Sequence, residues 1–204
     1  MLHLSEQDRI TYRYLLKVEV LKKVVPDRLP HELAVNGAQF VFCPDGDQFR
    51  YAYDHACRII EAHRDITRLH VLTRFGGGLV LPADSPLHNE CLGLHGSIFA
   101  SQTMKHMDLV MLYAHAPCGA ATEAGMSLAE SLDVLCRAKI DLKRAAQERG
   151  ANIKVACFLH IDAGPEEGRK TFFFPNGQWQ LLTRHKPVKR GEPWPGHTSQ
   201  AANR

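Results

Sequence analysis

The sequence predicts an α/β fold, with a central, largely parallel β-sheet flanked by helices. Short apolar runs rich in β-branched and aromatic residues alternate with longer segments whose apolar residues recur at helical spacing. Glycine or proline follows several of the short runs, as is typical where strands end. Strands that alternate with helices along a chain are the pattern of proteins whose middle strands lie parallel.

Length and composition predict one domain with its own core. The chain has 204 residues, of which 45% are hydrophobic and 23% charged, enough to bury a core without disulfides. The six cysteines lack the spacing of a disulfide scaffold, and the N-terminus is too polar for a signal peptide. No apolar run approaches the roughly 20 residues that cross a bilayer. We therefore expect a soluble, cytoplasmic protein with no membrane partner, whose cysteines are free thiols or metal ligands.

The basic charge is concentrated at the C-terminus. Residues 183–204 carry five Lys or Arg and one Glu, a charge of +4, so the net charge of +3 leaves the rest of the chain near −1. The segment is also rich in proline, glycine and polar residues, which predicts a flexible tail beyond a single domain at residues 1–182. With the basicity confined to that tail, we expect no nucleic-acid partner.

The predicted elements begin with an amphipathic helix. Ser5 is placed to cap it, its apolar residues recur at helical spacing over about residues 5–25, and Pro26 and Pro30 follow. The run AQFVF then predicts a strand that enters the turn CPDG, and a helix is predicted over residues 48–64. The run LHVLT predicts a second strand, which ends in the glycine loop FGGG.

The second half repeats this alternation. A helix is predicted over residues 91–107, followed by a buried strand, DLVMLY, which runs into the loop YAHAPCGAA. Ser127 and Glu130 form a capping box for a long helix that ends near Gly150. Two last strands, over residues 152–162 and 170–175, are predicted to form a hairpin.

Two strand ends carry residues that could hold a metal ion. His115 and Cys118 are three residues apart after the strand DLVMLY, and an imidazole and a thiolate at that spacing can bind one zinc ion. Ligands of parallel sheets lie at the C-terminal ends of strands, where Cys43 also lies. If the two strands are neighbours, the three residues form a Cys2His set with one open position, the ligand count of a catalytic zinc site. Water or Asp45 would take that position.

These segments resemble a known family. CPD after a strand, TRFGGG after the next strand, then a helix and an apolar strand leading into HAPCGA together look like a beta-class carbonic anhydrase. The family holds zinc with a C-x-D-x-R motif and an H-x-x-C-G motif. The similarity covers most of residues 38–175.

The resemblance implies a fold, a cofactor and a reaction. It implies zinc bound by Cys43, His115 and Cys118, with a homodimer or dimer of dimers in which the N-terminal helix packs on the partner. The implied activity is the reversible hydration of carbon dioxide to bicarbonate, with zinc lowering the pKa of its bound water to supply hydroxide.

One position departs from the family pattern. The arginine that follows the motif aspartate by two residues is replaced by Asp47. In the family this arginine keeps the aspartate off the metal, so Asp45 is freer here to close the site. Asp47 also adds negative charge, which would raise the pKa of bound water. Arg50, one helical turn further on, is our candidate for a replacement, and Asp45 and Arg50 are the predicted catalytic residues.

Several interpretations remain open at this stage. The same site could hydrolyse carbonyl sulfide or carbon disulfide, or it could be a non-catalytic zinc site closed by Asp45. His88, Cys91 and His95 would share a helical face and could bind metal, although core packing explains them as well. The loop FGGG lacks the residues of a phosphate-binding loop, which favours close backbone packing near the metal.

Overall fold

A six-stranded sheet forms the centre of the molecule. The computed structural model describes residues 3–24, 36–62, 68–91 and 93–194. The strand order is β1-β6-β5-β4-β2-β3, with β2, β3, β4 and β5 parallel and β1 and β6 antiparallel to their neighbours. The strands are β1 (Lys22–Lys23), β2 (Ala38–Phe42), β3 (Leu69–Thr73), β4 (Leu109–Ala116), β5 (Lys154–Asp162) and β6 (Arg169–Phe173). The predicted α/β class and the β5–β6 hairpin are confirmed.

Helices cover both faces of the sheet. They are α1 (Glu6–Lys17), α2 (Phe49–Glu61), α3 (Leu94–Lys105), α4 (Gly119–Glu123), α5 (Leu128–Glu148) and α6 (Asn176–His185). Cys157 of β5 contacts the α5 carbonyl of Leu135, whereas the ring of Phe158 lies 5.5 Å from that of His55 in α2. Since consecutive strand residues point to opposite faces, α5 and α2 lie on opposite sides. Every residue of β2 and β4 is buried in the layer between these helices.

The N-terminal helix is shorter than predicted. Ser5 caps α1 as expected by accepting a hydrogen bond from the Asp8 N–H at 3.1 Å, but the helix ends at Lys17. Glu19 has a φ of 57°, after which the chain leaves helical geometry and enters β1. Val20 and Leu21 are nevertheless buried. Because these apolar residues continue the helical spacing of α1, the sequence pattern predicted a longer helix. Pro26 and Pro30 lie outside the described residues.

The segment before β4 also differs from the prediction. Residues 88–91 form a short 3-10 helix, and α3 begins separately at Leu94, after Gly93 with a φ of 75°. His88 and His95 therefore do not share one helix face. Strand β4 extends to Ala116, three residues past the predicted end, so that His115 belongs to the strand.

The C-terminal segment packs on the domain as far as Trp194. Helix α6 was not predicted, and Trp194 beyond it is buried, with its ring centroid 5.1 Å from that of Trp179 and 5.7 Å from that of Tyr14. The Gly191 N–H also donates to Glu130. The predicted flexible tail from residue 183 thus contains a docked portion. Residues 195–204 lie outside the described part.

Among the helices that the structure describes, none combines the length and the apolar character needed to span a bilayer.

Candidate metal centre

Three potential metal ligands converge where β2 and β4 end. Cys43 directly follows β2, His115 is the penultimate residue of β4, and Cys118 precedes α4 as its N-cap. Their sulfur and imidazole nitrogen atoms lie within 4.8 Å of one another. The strands are parallel neighbours, with Val41 paired to Leu112, so their carboxyl ends meet at one edge. The group that the spacing predicted is therefore assembled and could hold a metal ion.

The His115 ring is buried, and neither of its nitrogens has a hydrogen-bond partner among the residues that the structure describes. Its exposure is 3%, and it packs against the Phe42 ring at a centroid distance of 5.2 Å. Buried polar atoms are nearly always satisfied, and leaving one unpaired costs about 1–3 kcal/mol. A metal ion between His115 and the two sulfurs would satisfy one of these nitrogens. The donor set of two thiols and one imidazole fits zinc.

The thiols of Cys43 and Cys118 lie close enough to influence each other's ionisation. A hydrogen bond from Cys43 lowers the pKa of the Cys118 thiol, burial opposes this effect, and the nearby His115 ring acts in the same direction as Cys43. The same hydrogen bond, followed by burial, raises the pKa of Cys43. One thiolate is thus already favoured. Since metal ions bind thiolates, a bound cation would displace the remaining proton from Cys43.

The glycine loop packs against the ligands. The Gly76 N–H donates to the Cys43 sulfur at 3.4 Å. A Cβ on Gly77 would lie 2.8 Å from the Cys43 nitrogen and 3.1 Å from the Tyr113 carbonyl oxygen. No side chain other than hydrogen fits there, so the loop closes over the ends of β2 and β4. This is the close backbone packing that the sequence favoured.

Asp45 closes the turn between Cys43 and α2. Its Oδ1 accepts hydrogen bonds from the backbone N–H groups of Asp47 at 3.0 Å and Gln48 at 3.2 Å, immediately before α2. Asp45 does not belong to the compact ligand group, although it lines the same cavity as Cys43. Its carboxylate is therefore held by main-chain donors.

Asp47 and Arg50 lie on the outer side of this turn. Asp47 is exposed, so water screens its charge from the ligand group. The Arg50 side chain is 87% exposed, and its Nε lies 3.8 Å from Asp54 within α2. The ion pair that the structure gives Arg50 is thus with Asp54 and not with Asp45 or Asp47.

Two cavities flank the ligand group. One, of about 560 Å³, is lined by Cys43 and Asp45 together with apolar side chains that include Phe75 and Leu87. The other, of about 310 Å³, is lined by His115 and Cys118 and by polar residues near the start of α5. The ligands are buried, but both sides of the group adjoin space that a small molecule could enter.

The alternative histidine cluster has other partners. His88 lies 3.2 Å from the Val80 carbonyl oxygen and His95 lies 3.2 Å from that of Leu81. These contacts hold residues 80 and 81 against the 3-10 helix at residues 88–91 and against α3. Within the described residues, Cys91 joins neither histidine in a compact ligand group.

Two buried histidines near the site were not predicted. His160 of β5 pairs in register with His115 and contacts the Thr171 hydroxyl at 2.7 Å, whereas His55 of α2 contacts the Tyr113 hydroxyl at 3.0 Å. Burial is the main cause that lowers the pKa of His160 to about 3 and of His55 to about 4, so both rings are neutral at pH 7. His160 could have been predicted, because it lies in the segment HID near the C-terminal end of β5, at the same edge of the sheet as His115.

No family model, curated protein or solved structure matches this chain.

Proposed function

We propose that this protein is a zinc-dependent, carbonic anhydrase-like enzyme that hydrates carbon dioxide reversibly. The observation that carries the proposal is the buried group of Cys43, His115 and Cys118, in which the nitrogens of His115 have no hydrogen-bond partner within the described part of the chain. Three protein ligands leave one coordination position free, which distinguishes catalytic from structural zinc sites. When bound, zinc would supply Lewis acidity, which makes hydroxide available from water near neutral pH.

Asp45 supports an open site. The family's arginine is absent, but two backbone N–H groups bind Asp45 Oδ1 and anchor the carboxylate at the start of α2. Hydrogen bonds to an ionised acceptor are stronger than neutral ones, so withdrawing Asp45 to ligate metal would break both bonds and loosen the turn before α2. In this proposal, main-chain donors do what the arginine does in the family. Asp45 remains free to orient a water molecule in the adjoining cavity.

The cavity beside Cys43 suits an uncharged substrate. Phe75, Leu87 and neighbouring alanines give it apolar walls, whereas its charged residues are the carboxylates of Asp45, Glu90 and Glu123. Carboxylates at an entrance repel anions such as bicarbonate and do not hinder a neutral molecule. Carbon dioxide meets that requirement, and release of the anionic product would be favoured.

Metal content is the first test. Protein loaded with zinc and then desalted is expected to hold one zinc ion per chain, and Cys118→Ala is expected to lose it. Cys57→Ala is the matched control, because Cys57 lies on α2 outside the ligand group and should leave zinc unchanged. Stoichiometric zinc in Cys118→Ala would refute the ligand set.

The reaction is tested by stopped-flow hydration of carbon dioxide from pH 7 to pH 9. A zinc-dependent rate that increases with pH, and that is absent in Cys118→Ala, is the expected result. Asp45→Asn keeps the size of the side chain but removes its charge, and we expect a reduced rate of carbon dioxide hydration at full zinc occupancy. Bound zinc without hydration at any pH would refute the proposal, and release of hydrogen sulfide from carbonyl sulfide would then redirect it.

The proposal includes a cytoplasmic location and assembly as a homodimer or a dimer of dimers. Light scattering coupled to size-exclusion chromatography measures the oligomeric state, and a monomer at micromolar concentration would refute the proposed assembly.

A further inference from the structure

A third cavity lies at the same edge of the sheet, one strand beyond the metal ligands. It has a volume of about 440 Å³, within the range of small-molecule sites, and lies where β5 turns into β6. Arg9 of α1, Tyr51 of α2 and the pair Asp162 and Arg169 form its walls. The hydration reaction proposed above uses none of these residues.

The charges of this cavity do not cancel. Arg169 Nε donates to Asp162 Oδ2 at 2.8 Å, and Asp162 Oδ1 accepts the Gly164 N–H at 3.0 Å, so the carboxylate is fully engaged. Arg9 donates to the Ala163 carbonyl oxygen at 2.9 Å, and no carboxylate pairs with it among the residues that the structure describes. The walls therefore carry one positive charge in excess.

Both guanidinium groups are held in place before any ligand arrives. The Arg169 guanidinium carbon lies 4.5 Å from the centre of the Tyr51 ring, in addition to its bond with Asp162. The bond to Ala163 fixes Arg9 across α1 and the β5–β6 turn. Donors fixed in this way lose little conformational entropy when they bind an anion.

The other walls of the cavity indicate what the uncharged part of a bound anion would be. Leu4, Pro165 and the Tyr51 ring are apolar surfaces that would cover a hydrocarbon or aromatic body. The Asp162 carboxylate opposes a second negative charge, so one excess charge matches a monoanion and not a dianion. We propose that this cavity binds a small monocarboxylate with an apolar body, whose carboxylate pairs with Arg9.

The probe is benzoate, with benzamide as its neutral counterpart of equal shape and sulfate as a dianion. Calorimetric titration of the zinc-loaded protein should give a millimolar dissociation constant for benzoate, with binding at least about tenfold weaker for benzamide and sulfate. A carboxylate could also reach the metal centre, so the titration is repeated after chelation. Binding in this cavity survives chelation, and loss of binding with the metal would overturn the proposal.

Variants on one helix locate the ligand. Arg9→Gln should weaken benzoate at least about tenfold, and Arg9→Lys should weaken it less. Arg13→Gln is the matched control, because Arg13 lies one turn further along α1 and already pairs with Glu167 at 3.0 Å. Equal weakening in Arg13→Gln and Arg9→Gln would contradict the proposal. Equal affinity for benzoate and benzamide in the unaltered protein would also contradict it, without reliance on any variant.

Discussion

Gly77→Ala tests whether the glycine loop holds the metal ligands in place. Gly77 has a φ of 59°, and an added Cβ would meet backbone atoms of Phe42, Cys43 and Tyr113 at 2.8–3.1 Å. Backbone cannot rotate away as a flexible side chain can. Gly150 is a natural control, since its φ of 63° is almost the same but, apart from its chain neighbours, no described residue has an atom within 4 Å of its Cβ position.

The difference between the two variants isolates the steric contact. A left-handed alanine costs about 1–2 kcal/mol, partly offset by the entropy that alanine removes from the unfolded chain, and both variants share these effects. Overpacking adds about 1–3 kcal/mol at Gly77 alone. We therefore expect Gly77→Ala to lose about 1–3 kcal/mol more unfolding free energy than Gly150→Ala.

Urea unfolding, followed by circular dichroism in the presence of chelator, measures both losses without any contribution from metal affinity. Equal m-values would confirm that the comparison reports on stability alone. Equal losses in the two variants would refute the reasoning, because they would mean that the loop does not contact the ends of β2 and β4. Zinc affinity, measured separately, should fall in Gly77→Ala and not in Gly150→Ala.

The remaining predictions concern thiol access, one buried histidine and the docked C-terminal segment. With zinc bound, a chromogenic thiol reagent should react fastest with the half-buried Cys57. Removal of zinc by a chelator should allow Cys43 and Cys118 to react as well. Identical reaction profiles before and after chelation would argue against metal binding by these two thiols. Burial lowers the pKa of His55 to about 4, so below about pH 6.5 the unfolded chain takes up a proton that the folded chain does not. Stability should fall as the pH drops from 6.5 towards 4, by up to about 1.4 kcal/mol per pH unit for this residue, and His55→Gln should flatten the slope in urea titrations; an unchanged slope would contradict it. Trp194→Ala should lose about 3–5 kcal/mol, and a loss near zero would mean that the segment is not docked.

The convergence of the metal ligands could be predicted because it depends on strand order alone. Once β2 and β4 are parallel neighbours, Cys43 and His115 must emerge at the same edge, whatever the details of the loops. The glycine loop was predictable for a similar reason, since consecutive glycines next to a ligand indicate a close backbone approach. The capping box at Ser127 and Glu130 was local, and both of its hydrogen bonds are present.

Other features depend on tertiary contacts that periodicity does not report. Val20 and Leu21 are buried after α1 has ended, and burial at a suitable spacing is all that the sequence pattern detects. The docking of Trp194 depends on the rings of Trp179 and Tyr14, which are distant in sequence. The contact of Arg9 with the β5–β6 turn could not be predicted for the same reason, because the two segments are more than 150 residues apart in the sequence.

The replacement of an arginine by Asp47 illustrates how a motif can change while its physical task remains. Judged by side chains alone, the loss of a cation beside Asp45 predicts either a closed site or a compensating cation, for which Arg50 was the candidate. The turn before α2 offers a third solution, since the backbone N–H groups of Asp47 and Gln48 both donate to the Asp45 carboxylate. These donors belong to the backbone, so only a substitution by proline removes one of them, and they face Asp45 from within the turn. Proline at position 47 would delete one of them, and Asp47→Pro should shift Asp45 towards the metal and suppress hydration, whereas Asp47→Asn should leave the rate unchanged or raise it. Equal rates in the two variants at full zinc occupancy would show that the backbone does not hold Asp45 in the working enzyme.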